Sequence, residues 1–168
     1  AALVKQKVAE VDTLGLWHHT LPEVAASEQA VDALEMCLGE SLDSGYRSFL
    51  LHANGWRAFH HQIDLFGIDD LLAGPRADRA KELSDSLEPL PDLFGCDRSA
   101  LMAAAVSSDD TDHMLMTRPH TREPGKVFPF PGGLIVTFPT FEHPFLAMVL
   151  YIPPAYQLPL QNPPPYHV

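Results

Sequence analysis

Two apolar stripes of helical period, with only five residues between them, constrain this chain more than any other feature. In residues 27–38, SEQAVDALEMCL, the side chains Ala30, Val31, Leu34, Cys37 and Leu38 recur at i, i+1, i+4, i+7 and i+8. That is one face of an amphipathic helix. From Ser44 the pattern restarts, with Tyr46, Phe49, Leu50 and Ala53 at i, i+3, i+4 and i+7, and Asn54-Gly55 stops it. Gly39 suits the left-handed residue that ends the first helix. Asp43 or Ser44 suits the cap that accepts from the free N–H groups opening the second. So short a linker, Gly39 to Asp43, predicts a helical hairpin whose apolar faces meet.

Beyond Gly55 the period changes. Gln62 to Phe66 alternates, with Ile63 and Leu65 on one face and Asp64 on the other, as in a half-buried strand. Gly74-Pro75 opens a third helix, with Ala80, Leu83 and Leu87 facing inward until Pro89 and Pro91 end it. Short strands follow at Leu101 to Val106, His113 to Thr117, Val127 to Phe130 and Leu134 to Phe138. Asp109 to Asp112 and Pro131-Gly132-Gly133 supply turn chemistry, and Arg118 to Lys126 reads as a polar loop. Phe141 to Ile152 returns to helical spacing, with Pro144 tolerable in the first turn. Helices first, then strands, then a closing helix predict an α+β fold on a mainly antiparallel sheet. Residues 1–152 form one domain in this reading, and residues 153–168 a separate tail.

That tail, PPAYQLPLQNPPPYHV, has six prolines and no Asp, Glu, Lys or Arg. It holds two PPxY tetrapeptides, at Pro153–Tyr156 and Pro163–Tyr166, of the kind that dock as polyproline II in aromatic grooves. Its apolar, tyrosine-bearing composition favours packing on the body or on a neighbouring molecule.

Charge narrows the partner classes. The 168 residues carry 11 Lys and Arg against 22 Asp and Glu, for a net charge of −11. Nucleic-acid or anionic-membrane binding through bulk electrostatics is disfavoured, and a basic partner is attracted. Seven of those negative charges arise between residues 82 and 112, where eight carboxylates face Arg98 alone. Such a run is either a solvated helix face with turns or an acidic patch that steers a basic protein. No apolar stretch approaches the ~20 residues of a membrane-spanning helix. The sequence starts at Ala1 without Met and shows no secretory signal, which leaves room for a removed N-terminal piece. Two cysteines without a CxxC spacing suit a reducing cytoplasm and a fold not built on disulfides.

Catalytic motifs are scarce: GxSxG, GxxxxGK[ST], HExxH and GxGxxG do not occur. Ser107-Ser108, His113 and the neighbouring aspartates contain the residue types of a hydrolytic triad, which mean little without geometry. Nine histidines invite a metal reading, but adjacent residues such as His60-His61 point to opposite faces of a strand and do not chelate one ion. Asp109, Asp110 and Asp112 lack the alternating spacing of a calcium loop, so an aspartate-rich turn accounts for them better. A non-catalytic protein without metal or cofactor is therefore expected.

The helix junction, Leu38-Gly39-Glu40-Ser41-Leu42-Asp43-Ser44-Gly45-Tyr46-Arg47-Ser48-Phe49-Leu50-Leu51-His52-Ala53-Asn54-Gly55-Trp56, resembles the signature of the SUKH superfamily, the Smi/Knr-like proteins. Looser similarity continues through Gln62 to Leu71, which looks like a strand and a short helical turn. It extends to Thr137 to Glu142, which looks like the approach to the closing helix. The resemblance implies an α+β binding scaffold and, for bacterial members, an immunity protein that neutralises a polymorphic or contact-dependent toxin, often a nuclease. Joined to the charge, it puts Asp109, Asp110, Asp112, Asp69 and Asp70 forward as contacts to a basic toxin. Trp56 is the candidate aromatic anchor, because Trp is enriched at interface hot spots. The competing expectation is a scaffold or regulatory module whose proline-rich tail recruits a partner or mediates self-association.

Overall fold

The computed structural model describes residues 20–60, 62–86, 96–109, 112–130 and 137–150. Helix α1 spans Glu28–Leu38. The Ser27 hydroxyl accepts from the Ala30 N–H at 3.2 Å, and Gly39 adopts φ 72°. The Gly39 N–H donates to Met36 O and the Glu40 N–H to Glu35 O, which closes the helix as a Schellman motif. Helix α2, Ser44–His52, is capped by Asp43, whose Oδ1 accepts from the N–H groups of Gly45 and Tyr46 at 3.0 and 3.1 Å. The predicted caps and the boundary between the two helices therefore agree with the structure. Cys37 departs from the reading: it is exposed, as is Met36, because the last turn of α1 is covered only on its Leu38 side.

Strand β1, Trp56–His60, is absent from the sequence reading. It pairs antiparallel with β2, Ile63–Leu65, through Trp56↔Leu65 and His60↔Ile63. A bulge lies between those pairs: Ala58 takes φ 44°, and its N–H turns from the ladder to donate to Asp64 Oδ1 at 2.8 Å. Helix α3, Ile68–Leu72, and helix α4, Pro75–Ser86, follow, with Pro75 at the first helical position as expected. Strands β3, Leu101–Ser107, β4, His113–Thr117, and β5, Val127–Phe130, complete a five-stranded antiparallel meander in the order β1-β2-β3-β4-β5. Phe138 continues from β5 as an isolated antiparallel bridge to Val127. The rest of the expected Leu134–Phe138 strand up to residue 136, the Pro89 and Pro91 helix end, and the tail lie outside the described residues. Helix α5, Glu142–Leu150, closes the fold with Pro144 in its first turn.

The sheet is covered on both faces. Met102, Ala104, Met114, Met116, Val127 and Leu65 meet Val31 and Leu34 of α1, Tyr46, Phe49 and Leu50 of α2, and Phe141. Each large side chain enclosed there contributes roughly 1.5–3 kcal/mol of burial free energy. On the opposite face Phe66 and Val106 pack on Ala80 and Leu83 of α4, while Leu101, Leu115 and Phe128 pack against Cys96. The architecture is α+β, as the order of elements predicted.

Candidate functional site

Three residues of the 38–56 segment, Tyr46, Asn54 and Gly55, meet the turn between β2 and α3. The Tyr46 hydroxyl donates to Phe66 O at 2.9 Å, and Asn54 Oδ1 accepts from the Ile68 N–H at 2.8 Å, satisfying the open start of α3. Gly55 sits at φ 99° against the Gly67 backbone. A side chain on Gly67 would collide with the Asn54 carbonyl oxygen. Tyr46, Asn54, Gly55 and Gly67 are therefore joints of the fold made to backbone, whereas Phe49 and Leu50 of the same segment fill the core.

Beside this turn lies an ion-pair network. Asp70 is 7% exposed. Its Oδ2 accepts from Arg57 at 2.8 Å and from the Gly67 N–H at 3.1 Å, and its Oδ1 accepts from Arg76 at 3.2 Å. Asp64 Oδ2 takes a second Arg76 donor at 2.8 Å, and Glu23 pairs with Arg57 at 2.9 Å. Burial lowers the Arg76 pKa, but the Asp64 and Asp70 carboxylates outweigh it and leave the guanidinium more firmly protonated than usual. Asp70, expected at the surface as a partner contact, is thus spent inside the fold. The reason is positional: it occupies the third residue of α3 and folds back over the helix start.

The remaining candidates are dispersed. Asp69 is exposed on α3, past the C-terminal end of β2. Asp109 is exposed and Asp112 half-buried in the β3–β4 turn, which lies beside the other end of β2 because the Ser108 N–H donates to Gln62 O. Three residues of strand, about 10 Å, separate the two groups at the least. Asp110 lies outside the described residues. Trp56 is half-buried, packs on Phe59 with ring centroids 5.0 Å apart, and donates its Nε1–H to Thr20 O at 3.1 Å.

The triad types are likewise occupied. The Ser107 hydroxyl accepts from the Asp112 N–H at 2.8 Å, and the Ser108 hydroxyl donates to Gln62 at 2.9 Å. His113 is 6% exposed and lines an apolar cavity of about 230 Å³ with Met114, Pro129, Phe138 and Met148. Desolvation pulls its pKa down to about 4 against a small opposing effect of Asp112, so the ring is neutral near pH 7.

Sequence reasoning missed how the cations are placed. Arg47 reaches Glu28, Asp32 and Glu35 of α1 at 2.7, 2.9 and 3.5 Å. Lys81 and Arg98 share Asp85, Arg118 pairs with Glu40, and Lys126 pairs with Glu123. Burial raises the Glu40 pKa, but hydrogen bonds from His120 and Arg118 more than reverse this and hold its carboxyl below the usual range. The signal available for Arg47 was the i, i+4, i+7 spacing of Glu28, Asp32 and Glu35, which puts all three on one helix face. Meanwhile Asp69, Asp78, Glu82, Asp97, Asp109 and Glu142 are exposed.

Among the described residues no cluster of three or more His, Cys, Asp or Glu is placed to hold a metal ion, and no helix is long and apolar enough to cross a membrane. No family model matches the chain, and no curated protein matches it.

Proposed function

We propose that this protein is a non-catalytic bacterial immunity protein of the SUKH type. In this reading it acts in the cytoplasm, binding and neutralising a cognate polymorphic or contact-dependent toxin, a basic nuclease, through its acidic surface. The observation that carries the reading is the distribution of charge. Arg47, Arg57, Arg76, Lys81, Arg98, Arg118 and Lys126 are all engaged by carboxylates of the same fold. Acids such as Asp69, Asp78, Glu82 and Asp97 stand exposed on a chain whose net charge is −11. A nuclease must present cations to its own substrate, and an anionic protein surface competes for the same cations. Such complementarity speeds encounter, and close packing then slows release. The resemblance at residues 38–56 supports the same class of function.

The test is capture of the tagged full-length chain from its native host, followed by expression of the captured partner with and without this chain. The expected result is a stoichiometric basic protein that is lost at high salt, arrests growth when expressed alone, and is tolerated when the two are co-expressed. Recovery of the chain alone from cells shown to make a candidate toxin, or growth arrest that co-expression does not relieve, overturns the reading.

A further inference from the structure

The acidic-surface reading leaves the proline-rich tail unused, and a groove in the fold matches that tail's chemistry. The groove lies between α2 and α5 and has a volume of about 460 Å³, within the range of pockets that enclose organic groups. Phe49, Trp56, Phe141, Phe145 and Leu146 form its apolar walls, and the exposed Ser48, His52 and Glu142 supply polar groups at its edge. Within the wall Phe49 and Phe145 have ring centroids 5.8 Å apart, and each rests on a buried core ring, Phe49 on Phe141 and Phe145 on Phe59. Leu146 is 51% exposed.

We infer that this groove is the docking site of the chain's own proline-rich tail, residues 153–168. Composition supports the match, because six prolines and two tyrosines without a charged side chain seat against aromatic rings and desolvate no ion. A polyproline II segment also gives up little conformational entropy on docking. Attachment supports it too. Helix α5 supplies Phe145 and Leu146 to the groove, Phe141 immediately precedes it, and its last described residue is Leu150, three positions before the tail begins in sequence. The Pro153-Pro154 pair opposes helical continuation through those positions. Returning from Leu150 to Phe141 covers about 14 Å along the helix. Residues 151–168 reach about 56 Å as polyproline II, and tethering raises their local concentration to the millimolar range.

The full-length chain labelled with fluorotyrosine tests this, since its four tyrosines are Tyr46, Tyr151, Tyr156 and Tyr166. Fluorine NMR resonances are assigned by single Tyr→Phe substitutions and compared with a labelled synthetic peptide of residues 151–168. The expected result is a Tyr156 or Tyr166 resonance displaced from the free-peptide position. Leu146→Glu on one wall, or Ser48→Arg on the other, returns it to that position while the buried Tyr46 resonance stays in place as the control for folding. Three results overturn the inference: tail resonances that coincide with the free peptide, a displacement that neither variant moves, and a displacement that grows with protein concentration. The last would make a second copy the occupant.

Discussion

The Tyr46 hydroxyl reaches across twenty residues of chain to donate to the Phe66 carbonyl oxygen at 2.9 Å, fastening α2 to the turn that starts α3. The phenol is fully buried, and burial, reinforced by the Asp70 charge, pushes its pKa far above the ordinary tyrosine value. Tyr46→Phe keeps the packing on Phe49 and Phe141 but deprives a carbonyl of its donor. The expected cost is about 1–2 kcal/mol, a fall in Tm of roughly 2–8 °C for a chain of this size. Thermal unfolding followed by circular dichroism measures it, and an unchanged Tm would mean that the bond carries no net stability.

Gly67 and Gly39 are required for different reasons, and alanine separates them. At Gly67 a Cβ meets the Asn54 carbonyl, which is backbone and cannot swing away, so Gly67→Ala is an overpacking change costing about 1–3 kcal/mol or more. At Gly39 a Cβ has open space, and only the left-handed φ of 72° opposes it, at about 1–2 kcal/mol. Urea unfolding should show the larger midpoint shift for Gly67→Ala with similar m-values. Equal or reversed shifts would refute the steric account.

Local chemistry was readable where neighbours in sequence are neighbours in space. Gly39 and Asp43 are caps whose partners lie within five residues, and β4 and β5 match the apolar runs that predicted them. Strand β1 was hidden because the bulge at Ala58 breaks its alternation. The site was harder still. Asp69 and Asp70 look equivalent in sequence, yet a 100° step around the helix exposes one and buries the other between two arginines that arrive from β1 and α4. Counting charges gave the surplus of acids, but which acids face outward depends on ion pairs between residues far apart in the chain.

That pair of aspartates separates stability from binding. Asp70→Ala leaves Arg57 and Arg76 without their shared carboxylate and the Gly67 N–H without its acceptor. Both guanidinium groups keep some solvent contact, so the expected loss is about 2–3 kcal/mol, below that of a fully enclosed pair. Asp69→Lys should leave Tm within about 1–2 °C of the parent. Under the proposed function it, like Asp109→Lys, slows association with the toxin by about tenfold at low salt and by less at high salt. Stopped-flow association rates beside melting curves check both halves. An Asp69→Lys protein with unchanged rates at every salt concentration would remove α3 from the interface.

His113 gives the fold a pH dependence of definite sign. Its folded pKa of about 4 lies below the usual 6.5, so between those values the unfolded chain binds the extra proton and the folded chain does not. The stabilising contribution is therefore complete above pH 6.5, declines as the pH falls, and is gone below about pH 4. Its full size is on the order of 3 kcal/mol. His113→Leu keeps an apolar side chain beside Met114, Pro129, Phe138 and Met148 and removes the titration. Melting curves from pH 4 to pH 7 should then show a shallower acid slope for the variant, with its Tm rising relative to the parent as the pH falls. Parallel slopes would place the burial of this ring outside the acid sensitivity of the protein.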